Sequence, residues 1–455
     1  MSGTRSPDRW LGLLARVWPI ITVAAAMIWM FFIRVRTYGN FLVDGRVYFS
    51  GNDAWYHLRQ VGYLVANFPQ RMPFDPWTGY PVGRFASQFG TLYDQLVAAA
   101  ALVIGLGSPT EQQVAITLLV APAVFGTLVA VPTYLIGREL GGRTVGAVAV
   151  IILALLPGTF LRRGLVGFAD HNIVEPLFML VAVWLLMVSV RVSNRADLDL
   201  DAVRQVRWSE LLSPLRWGAL AGVATVLYLW VWPPGVILLG IVAIAAVLQG
   251  VTDIRVGRAD LRRLVPLGTA MVVVALFMLL RLTSPGYYAQ GFTILAPLLA
   301  LGVLAGAAVI TAGQYVRVRE GLPPLVVVLG LGVLAAVAWV LLSVIAPGVY
   351  QTLTGNFLNI VGFGTGATTR TIGEAQPFLR GGSVAPIIRE YGLMFFIAAG
   401  AVIWMLAAPL LRSAPPREPG LAAGGLAVPR ITLALPVLPA AIRCVVRLPR
   451  ALLGP

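Results

Sequence analysis

The sequence predicts an all-α polytopic membrane protein that crosses the bilayer about ten times. Apolar residues make up 58% of the chain and charged residues 12%, and the mean hydropathy is +0.84, values far from those of a soluble globular domain. The apolar residues fall in runs close to the ~20 residues that a helix needs to cross the hydrocarbon core. Arg residues flank these runs instead of forming one basic stripe, which argues against a nucleic-acid partner.

The predicted spans occupy most of the chain and lie near residues 17–33, 113–137, 144–160, 173–191, 216–232, 234–251, 263–281, 290–312, 323–346 and 392–411. Residues 17–411 are therefore predicted to form one transmembrane domain, after a cytoplasmic N-terminus at 1–16. The segment SAPPREPG then breaks the helical periodicity, so residues 412–455 are predicted to be an atypical tail without a span or a further domain.

The chain has two histidines, and each lies beside an acid in a short polar segment between apolar runs. The first segment, GNDAWYH at 51–57, contains Asp53 and His57 and is followed by Arg59. Ionisable residues in such an apolar chain are typical of functional sites. The alternative interpretation is an interfacial loop that carries a belt of aromatic side chains.

The second polar segment, ADHN at 169–172, contains Asp170, His171 and Asn172. It lies at the start of a predicted span, and Glu175 follows one turn inside. The alternative here is helix capping, because acids and amides at a helix start satisfy free backbone amides and favour the helix dipole.

The apolar run 92–106 is ambiguous because it has only about 15 residues and begins with Asp94 and Gln95. If the two polar segments serve one site, an even number of crossings must separate them. That condition excludes 92–106 as a span and predicts a long first external loop at 34–112 that contains a helix on the membrane surface.

Charge bias supports this sidedness, because short cytoplasmic loops are rich in Arg. The predicted inner connectors carry Arg residues at 138, 143, 195, 204, 207, 255, 258, 262, 263, 317 and 319, whereas the short outer turns carry none. The exceptions are Arg34, Arg36, Arg162 and Arg163. We therefore predict a multi-pass cell-membrane protein whose site faces the extracytoplasmic side.

A third acid, Glu374, lies in TRTIGEAQP within the predicted external loop 347–391, which faces the same side. Long loops without obvious structure are usually functional or mobile, although a solvated loop acid is the simpler alternative. Carboxylates with an amide or imidazole at a membrane surface can hold a divalent cation such as Mg²⁺ or Mn²⁺. A metal at that depth can stabilise a departing phosphate, which points to glycosyl transfer from a polyprenyl-phosphate lipid.

Up to about residue 411, the chain resembles the catalytic subunit of oligosaccharyltransferase, most closely its archaeal form. The segment GNDAWYHLR resembles the first acidic motif of that family, and GYPVG and FGTLYD resemble landmarks of its first loop. The motifs GREL, LLPGTFLRR and GFADHNIVEPLF resemble the segment that leads into the second acidic motif, and TIGE at 371–374 resembles the motif of the fifth external loop. The resemblance implies a GT-C-like membrane domain with long first and fifth external loops.

The resemblance also implies the reaction and its partners. A polyprenyl- or dolichyl-phosphate-linked oligosaccharide would be the donor, and the asparagine of an N-x-[ST] acceptor in a protein or peptide would receive the glycan. Asp53, Asp170 and Asn172 would bind Mn²⁺ or Mg²⁺, and Asp53 and Glu374 would accept hydrogen bonds from the acceptor amide. His57, His171 and Arg59 are predicted partners of these groups, and membrane lipid surrounds the domain.

Two departures from the family pattern are visible. Asn172 occupies a position where the archaeal family usually has His or an acid, and a neutral amide binds a hard cation more weakly than a carboxylate. The family's WWDYG-bearing soluble domain and its RFxYY-like segment are not found, which predicts a C-terminally truncated and inactive chain. The alternatives are a membrane glycosyltransferase with another polyprenyl-phosphate sugar donor and a non-enzymatic lipid carrier or transporter.

Overall fold

The computed structural model describes residues 7–85, 90, 92–281, 292–360 and 384–411. Its helices, numbered in chain order, are α1 (Pro7–Val35), α2 (Asp53–Asn67), α3 (Leu92–Ile104), α4 (Glu111–Leu128), α5 (Ala130–Ala154), α6 (Thr159–Arg163), α7 (Val174–Ser193), α8 (Leu200–Arg204), α9 (Trp208–Val231), α10 (Ile237–Val256), α11 (Leu264–Arg281), α12 (Phe292–Glu320), α13 (Pro324–Ile345), α14 (Pro347–Ile360), α15 (Ala385–Tyr391) and α16 (Met394–Leu411). The predicted tail at 412–455 lies outside the described residues.

Short strands and 3-10 helices connect some of the long helices. Two small antiparallel hairpins pair β1 (Leu42–Val43) with β2 (Arg46–Val47) and β3 (Phe74–Asp75) with β4 (Arg84–Phe85). Short 3-10 helices occur at Tyr38–Phe41, His171–Ile173 and Pro233–Val236. The sequence did not predict these hairpins, because strands this short leave almost no periodic pattern.

The described helices confirm a multi-pass membrane domain. Eight stretches are long and apolar enough to cross a membrane, and the bent pair α15 and α16 makes up to nine. The stretch Glu111–Ala154 is 44 residues long, about twice what one crossing needs. Its backbone is non-helical at Gly141 and Gly142, and a Cβ at Gly137 would lie 2.7 Å from the Cα of Gly146. The chain therefore turns back at this glycine pair, and two crossings here bring the described spans to as many as ten if the bent pair also crosses, consistent with the prediction of about ten.

Helix α3 covers most of the ambiguous run 92–106. It has 13 residues and is only about 20 Å long, too short to cross the hydrocarbon core. Tyr93, Val97 and Ala101 are buried against α2 and α4. The predicted loop 347–391, by contrast, is helical at both ends, where α14 and α15 lie.

Arg34 explains one exception to the charge bias. Its side chain is 1% exposed, its guanidinium lies 5.0 Å from the centre of the Phe160 ring, and its Nη1 donates to the carbonyl of Met30. Gly126 and Gly164 leave room for it, since a Cβ at either position would lie under 3.0 Å from Nε of Arg34. This arginine is therefore part of the helix packing and does not report the charge of a loop.

Small residues allow α9 and α11 to pack backbone against backbone. Gly218 and Gly222 are one turn apart on α9, and a Cβ at these positions would lie 2.6 Å from the carbonyl oxygen of Pro266 and 2.7 Å from that of Ala270. Such small residues, spaced four apart, are typical of tight helix pairs in membranes. The largest buried apolar cluster among the described residues, formed by α7, α9, α10, α11 and α12, surrounds this contact.

We expect Gly222→Ala to destabilise the domain, because the added methyl group has no space against the α11 backbone. Overpacking of this kind costs about 1–3 kcal/mol. Thermal unfolding in detergent measures the effect. Gly240→Ala is the matched control, because a Cβ there meets nothing within 4 Å. Equal melting temperatures for the two variants would contradict this description of the contact.

Candidate active site

The first acid and histidine segment enters the site through α2. The buried face of this helix consists of Ala54, His57, Gln60, Val61 and Leu64, the spacing of one face of an α-helix. His57 therefore points into the protein because of its position on α2. Asp53 is the first residue of the helix and is exposed.

The second segment reaches the site through the loop between α6 and α7. Backbone hydrogen bonds fix this loop from three directions. Val166 donates to the carbonyl of Arg34 at 3.0 Å, Gly167 donates to Leu119 at 3.1 Å, and Ser50 donates to Gly167 at 3.0 Å. Gly167 has a φ of +91°, which favours glycine, and a Cβ there would lie 2.4 Å from the ring of Phe41.

The two segments meet at the carboxylate of Asp170. Its Oδ1 lies 3.3 Å from Nε2 of His57 and 2.7 Å from Nδ1 of His171. One ligand atom from each of the three residues lies within 4.8 Å of the others, so the group can hold a divalent metal ion. The structure therefore brings His57 of the first polar segment against Asp170 of the second, as the sequence predicts for a shared site.

Asp94 completes the cluster from α3. Its Oδ1 lies 2.6 Å from Nδ1 of His57, and the two side chains are 1% and 3% exposed. Nδ1 of His57 thus contacts Asp94, and Nε2 of the same ring faces Asp170. Sequence reasoning noted Asp94 only as a polar start to an apolar run. The sequence feature that could have pointed to Asp94 is an acid in a short apolar helix. Only the tertiary structure shows that this helix packs against α2.

These contacts shift the pKa values of both groups. Burial alone would lower the pKa of His57, but the charge of Asp94 and hydrogen bonds to Asp170 and Asp94 outweigh it and raise the pKa to about 10. Burial would raise the pKa of Asp170, but hydrogen bonds from His171 and His57 hold it well below its usual range. At neutral pH without a metal, His57 is therefore a cation between two carboxylates. A metal that binds Nε2 must displace this proton.

The remaining predicted site residues lie in different surroundings. Nδ2 of Asn172 donates to Oδ2 of Asp170, so the amide holds the second carboxylate oxygen. Nε2 of His171 lies 3.4 Å from Oε1 of Glu175. Among the described residues, the group that could hold a metal ion consists of His57, Asp170 and His171 and does not include Asp53. The role of Asp53 as a metal ligand stays a prediction. Glu374 lies outside the described residues.

Arg59 serves a neighbouring loop and does not contact the cluster. Its Nη2 and Nε donate to Oδ2 of Asp75 at 2.5 and 3.2 Å, and Thr78 donates to the same oxygen at 2.7 Å. Asp75 is 1% exposed and also accepts from the Gln60 amide and from the backbone of Trp77. Arg59 therefore anchors the hairpin of β3 and β4 that follows α2.

The helical membrane domain and the acid and histidine cluster near the starts of α2, α3 and α7 define a polytopic membrane protein with a group of side chains that could hold a metal ion. The family described as "Oligosaccharyl transferase STT3, N-terminal" matches residues 19–373. The chain belongs to this oligosaccharyl transferase family. This confirms the resemblance and the fold class that the sequence predicts.

Individual relatives agree with the family match. The chain is 48% identical over 453 aligned residues to the dolichyl-monophosphooligosaccharide–protein glycotransferase AglB of Haloferax volcanii, covering 94% of this chain and 42% of that protein. A solved oligosaccharyltransferase AglB from Archaeoglobus fulgidus, in complex with an inhibitory peptide and a dolichol-phosphate, has a TM-score of 0.74 at 24% identity and shares the fold over 87% of this chain and 45% of that one. A related Archaeoglobus fulgidus structure in complex with Zn and sulfate has a TM-score of 0.62 at 21% identity, over 86% of this chain and 43% of that one. The chain thus spans less than half the length of these relatives.

The raised pKa of His57 predicts a pH-dependent stability. Since this pKa lies above the ordinary 6.5, the stabilisation is complete below pH 6.5 and is lost as the pH rises toward about 10. We expect the melting temperature of the metal-free chain to fall over this interval and to fall less in Asp94→Asn, because the variant removes the charge that favours the imidazolium. Asp201→Asn, whose side chain is 64% exposed, is the control. An unchanged pH dependence in Asp94→Asn would refute the assigned role.

Proposed function

We propose that this chain forms the membrane part of an enzyme that transfers an oligosaccharide from a dolichyl- or polyprenyl-phosphate carrier to the asparagine amide of an N-x-[ST] acceptor. The proposal rests mainly on one observation, the 48% identity over 94% of the chain to a protein named as a dolichyl-monophosphooligosaccharide–protein glycotransferase. The cluster at Asp170 supports it, because the chemistry needs a cation where a phosphate departs.

The reaction joins the acceptor nitrogen to the sugar. The amide nitrogen attacks the anomeric carbon, the bond from that carbon to the phosphate oxygen breaks, and the phosphate leaves with the bonding electrons. The nitrogen lone pair is ordinarily delocalised into the amide. In our proposal, Asp53 and Glu374 accept hydrogen bonds from the amide N–H groups, twist the amide out of conjugation and receive the proton that the nitrogen loses.

The donor set fits a divalent cation. Asp170 supplies carboxylate oxygens and is held by Asn172 and by both histidines, while Asp53 supplies a second carboxylate near the start of α2. Carboxylate and amide oxygens favour Mg²⁺ and Mn²⁺. We therefore propose Mn²⁺ or Mg²⁺ at Asp53, Asp170 and Asn172, with His171 as the nearest additional donor. A bound cation would neutralise the charge that develops on the departing phosphate.

The proposed site faces the extracytoplasmic side. It lies beside the start of α7, whereas Arg195 follows the end of α7, and Arg255 and Arg317 lie in the last turns of α10 and α12. Short Arg-rich connectors lie on the cytoplasmic side of membrane proteins. The transporter alternative has less support, since the family consists of transferases and the site residues cluster at the ends of helices.

Asp170→Asn should abolish metal binding and transfer. We expect Mn²⁺ affinity, measured by calorimetry on the chain, and glycopeptide formation to fall at least ~100-fold, more than the 10- to 100-fold typical of groups one step from a metal. The transfer assay uses lipid-linked oligosaccharide, an N-x-[ST] peptide and the chain fused to the part of the Haloferax volcanii relative that follows the matched region. Asp201→Asn is the control. Activity without added or bound metal, or full activity in Asp170→Asn, would disprove the proposed site.

Cysteine labelling tests the sidedness. In a Cys444→Ser background, which removes the single cysteine, Trp77→Cys and Arg319→Cys place thiols at side chains that are 67% and 87% exposed. We expect a membrane-impermeant maleimide to label position 77 in intact cells and position 319 only after permeabilisation. The reverse pattern would place the site on the cytoplasmic face.

A further inference from the structure

A second concave site lies at the other end of the domain. A cavity of about 940 Å³, within the size range of ligand-binding pockets, opens between α7, α10, α11 and α12. Its lining on α7 and just beyond the end of that helix runs from Val183 to Arg195, whereas the candidate active site precedes Val174. Since α7 rises about 1.5 Å per residue, Arg191 lies roughly 25 Å along the helix from Val174. The cavity is therefore separate from the acid and histidine cluster.

The interior of the cavity is apolar. Leu186, Leu238, Leu267 and Ile310 line it from four different helices. Ile241 also lines it and is 54% exposed, and the same outer face of α10 continues with exposed apolar side chains at Ile244 and Leu248. The cavity thus opens toward a surface that faces hydrocarbon, and a ligand with a hydrocarbon chain can enter it from the bilayer.

The end of the cavity near the α7 terminus is polar and partly rigid. Arg263 donates to both carboxylate oxygens of the buried Asp253, at 2.5 and 3.2 Å, and Gln249 donates to the same group at 3.1 Å. Nε of Arg191 lies 3.0 Å from Oε2 of Glu139. Arg195 also lines the cavity, and in the part of the chain that the structure describes its guanidinium has no acidic partner. One positive charge at this end is therefore uncompensated.

Gln314 provides an independent indication of a ligand. Its side chain lines the cavity and is only 5% exposed, yet its amide makes no hydrogen bond to any residue within the described ranges. The amide atoms are not among the buried side-chain atoms without a partner, so they face the open cavity and are free to pair with a polar group there. The four helices thus combine an apolar interior, an amide open to the cavity and an uncompensated arginine in one site.

We infer that this cavity binds one membrane phospholipid with an anionic head group. The phosphate lies against Arg195, between the held guanidinium groups of Arg191 and Arg263. Gln314 donates to an oxygen that links the head group to its chains, and one hydrocarbon chain occupies the apolar interior. A zwitterionic lipid would bring a cationic group toward the uncompensated charge of Arg195, so net negative charge decides which lipid binds.

Lipid titration of the delipidated full chain in detergent tests this inference, with native mass spectrometry for stoichiometry and melting temperature for affinity. We expect phosphatidylglycerol to bind one per chain and to stabilise it at lower concentration than phosphatidylcholine. Arg195→Gln should weaken phosphatidylglycerol binding at least about fivefold, the effect of one arginine near an anionic lipid surface. Arg319→Gln, an 87% exposed arginine outside the cavity, is the matched control and should bind like the unaltered chain.

Two further variants test whether the hydrocarbon chain of the lipid lies in the apolar interior of the cavity. Ala307→Leu and Ala245→Leu add side-chain volume to opposite walls of the cavity, on α12 and α10, and each should weaken phosphatidylglycerol binding without lowering the melting temperature of the lipid-free chain. If one variant fails to fold, the other still decides. Equal binding of phosphatidylglycerol and phosphatidylcholine, unchanged binding in Arg195→Gln, or equal stabilisation by inorganic phosphate would overturn the inference.

Discussion

The contact between His57 and Asp170 joins the two polar segments of the chain, and the candidate active site depends on it. The two residues are far apart in sequence, and their side chains meet at 3.3 Å only because α2 and the loop before α7 are each fixed separately. Asp94 then holds the second ring nitrogen at 2.6 Å, so the imidazole cannot turn without losing a charged hydrogen bond. Removing any one of the three side chains leaves a buried charge without its partner, which is costly.

Close backbone packing provides the frame for this contact. Gly218 and Gly222 bring α9 against α11, and the turn at Gly141–Gly142 folds the second and third spans against each other. In a bilayer, helices gain little from burying apolar surface against one another, so close packing of small residues determines how they associate. The same bundle carries the candidate active site near the start of α7 and an apolar cavity near its end. One scaffold thus positions two chemically different sites on opposite sides of the domain.

The protonated imidazole of His57 holds the cluster together. In the metal-free arrangement a cationic His57 lies between two carboxylates, which stabilises the site without a metal. A metal that bound Nε2 of His57 would have to release this proton, so the affinity of that nitrogen for a metal would rise with pH until the imidazole is neutral. Asn172 fits this arrangement because its amide donates to Asp170, which a carboxylate at that position could not do. The departure from the family pattern at Asn172 therefore has a structural role, separate from its proposed role as a ligand.

The sequence by itself determined the fold class and the approximate number of spans, because apolar run length acts locally and leaves a direct pattern. That the two polar segments meet was only a condition there, and the tertiary structure brings them together by placing His57 3.3 Å from Asp170. That 92–106 does not cross the membrane stays a prediction. The tertiary structure decided the partners within the site. Asp94 contacts His57 in the site because α3 packs on α2. Arg59 lies outside the site because it pairs with Asp75 of β3. These outcomes depend on which helix faces which, and that choice is set by long-range packing that no local pattern records.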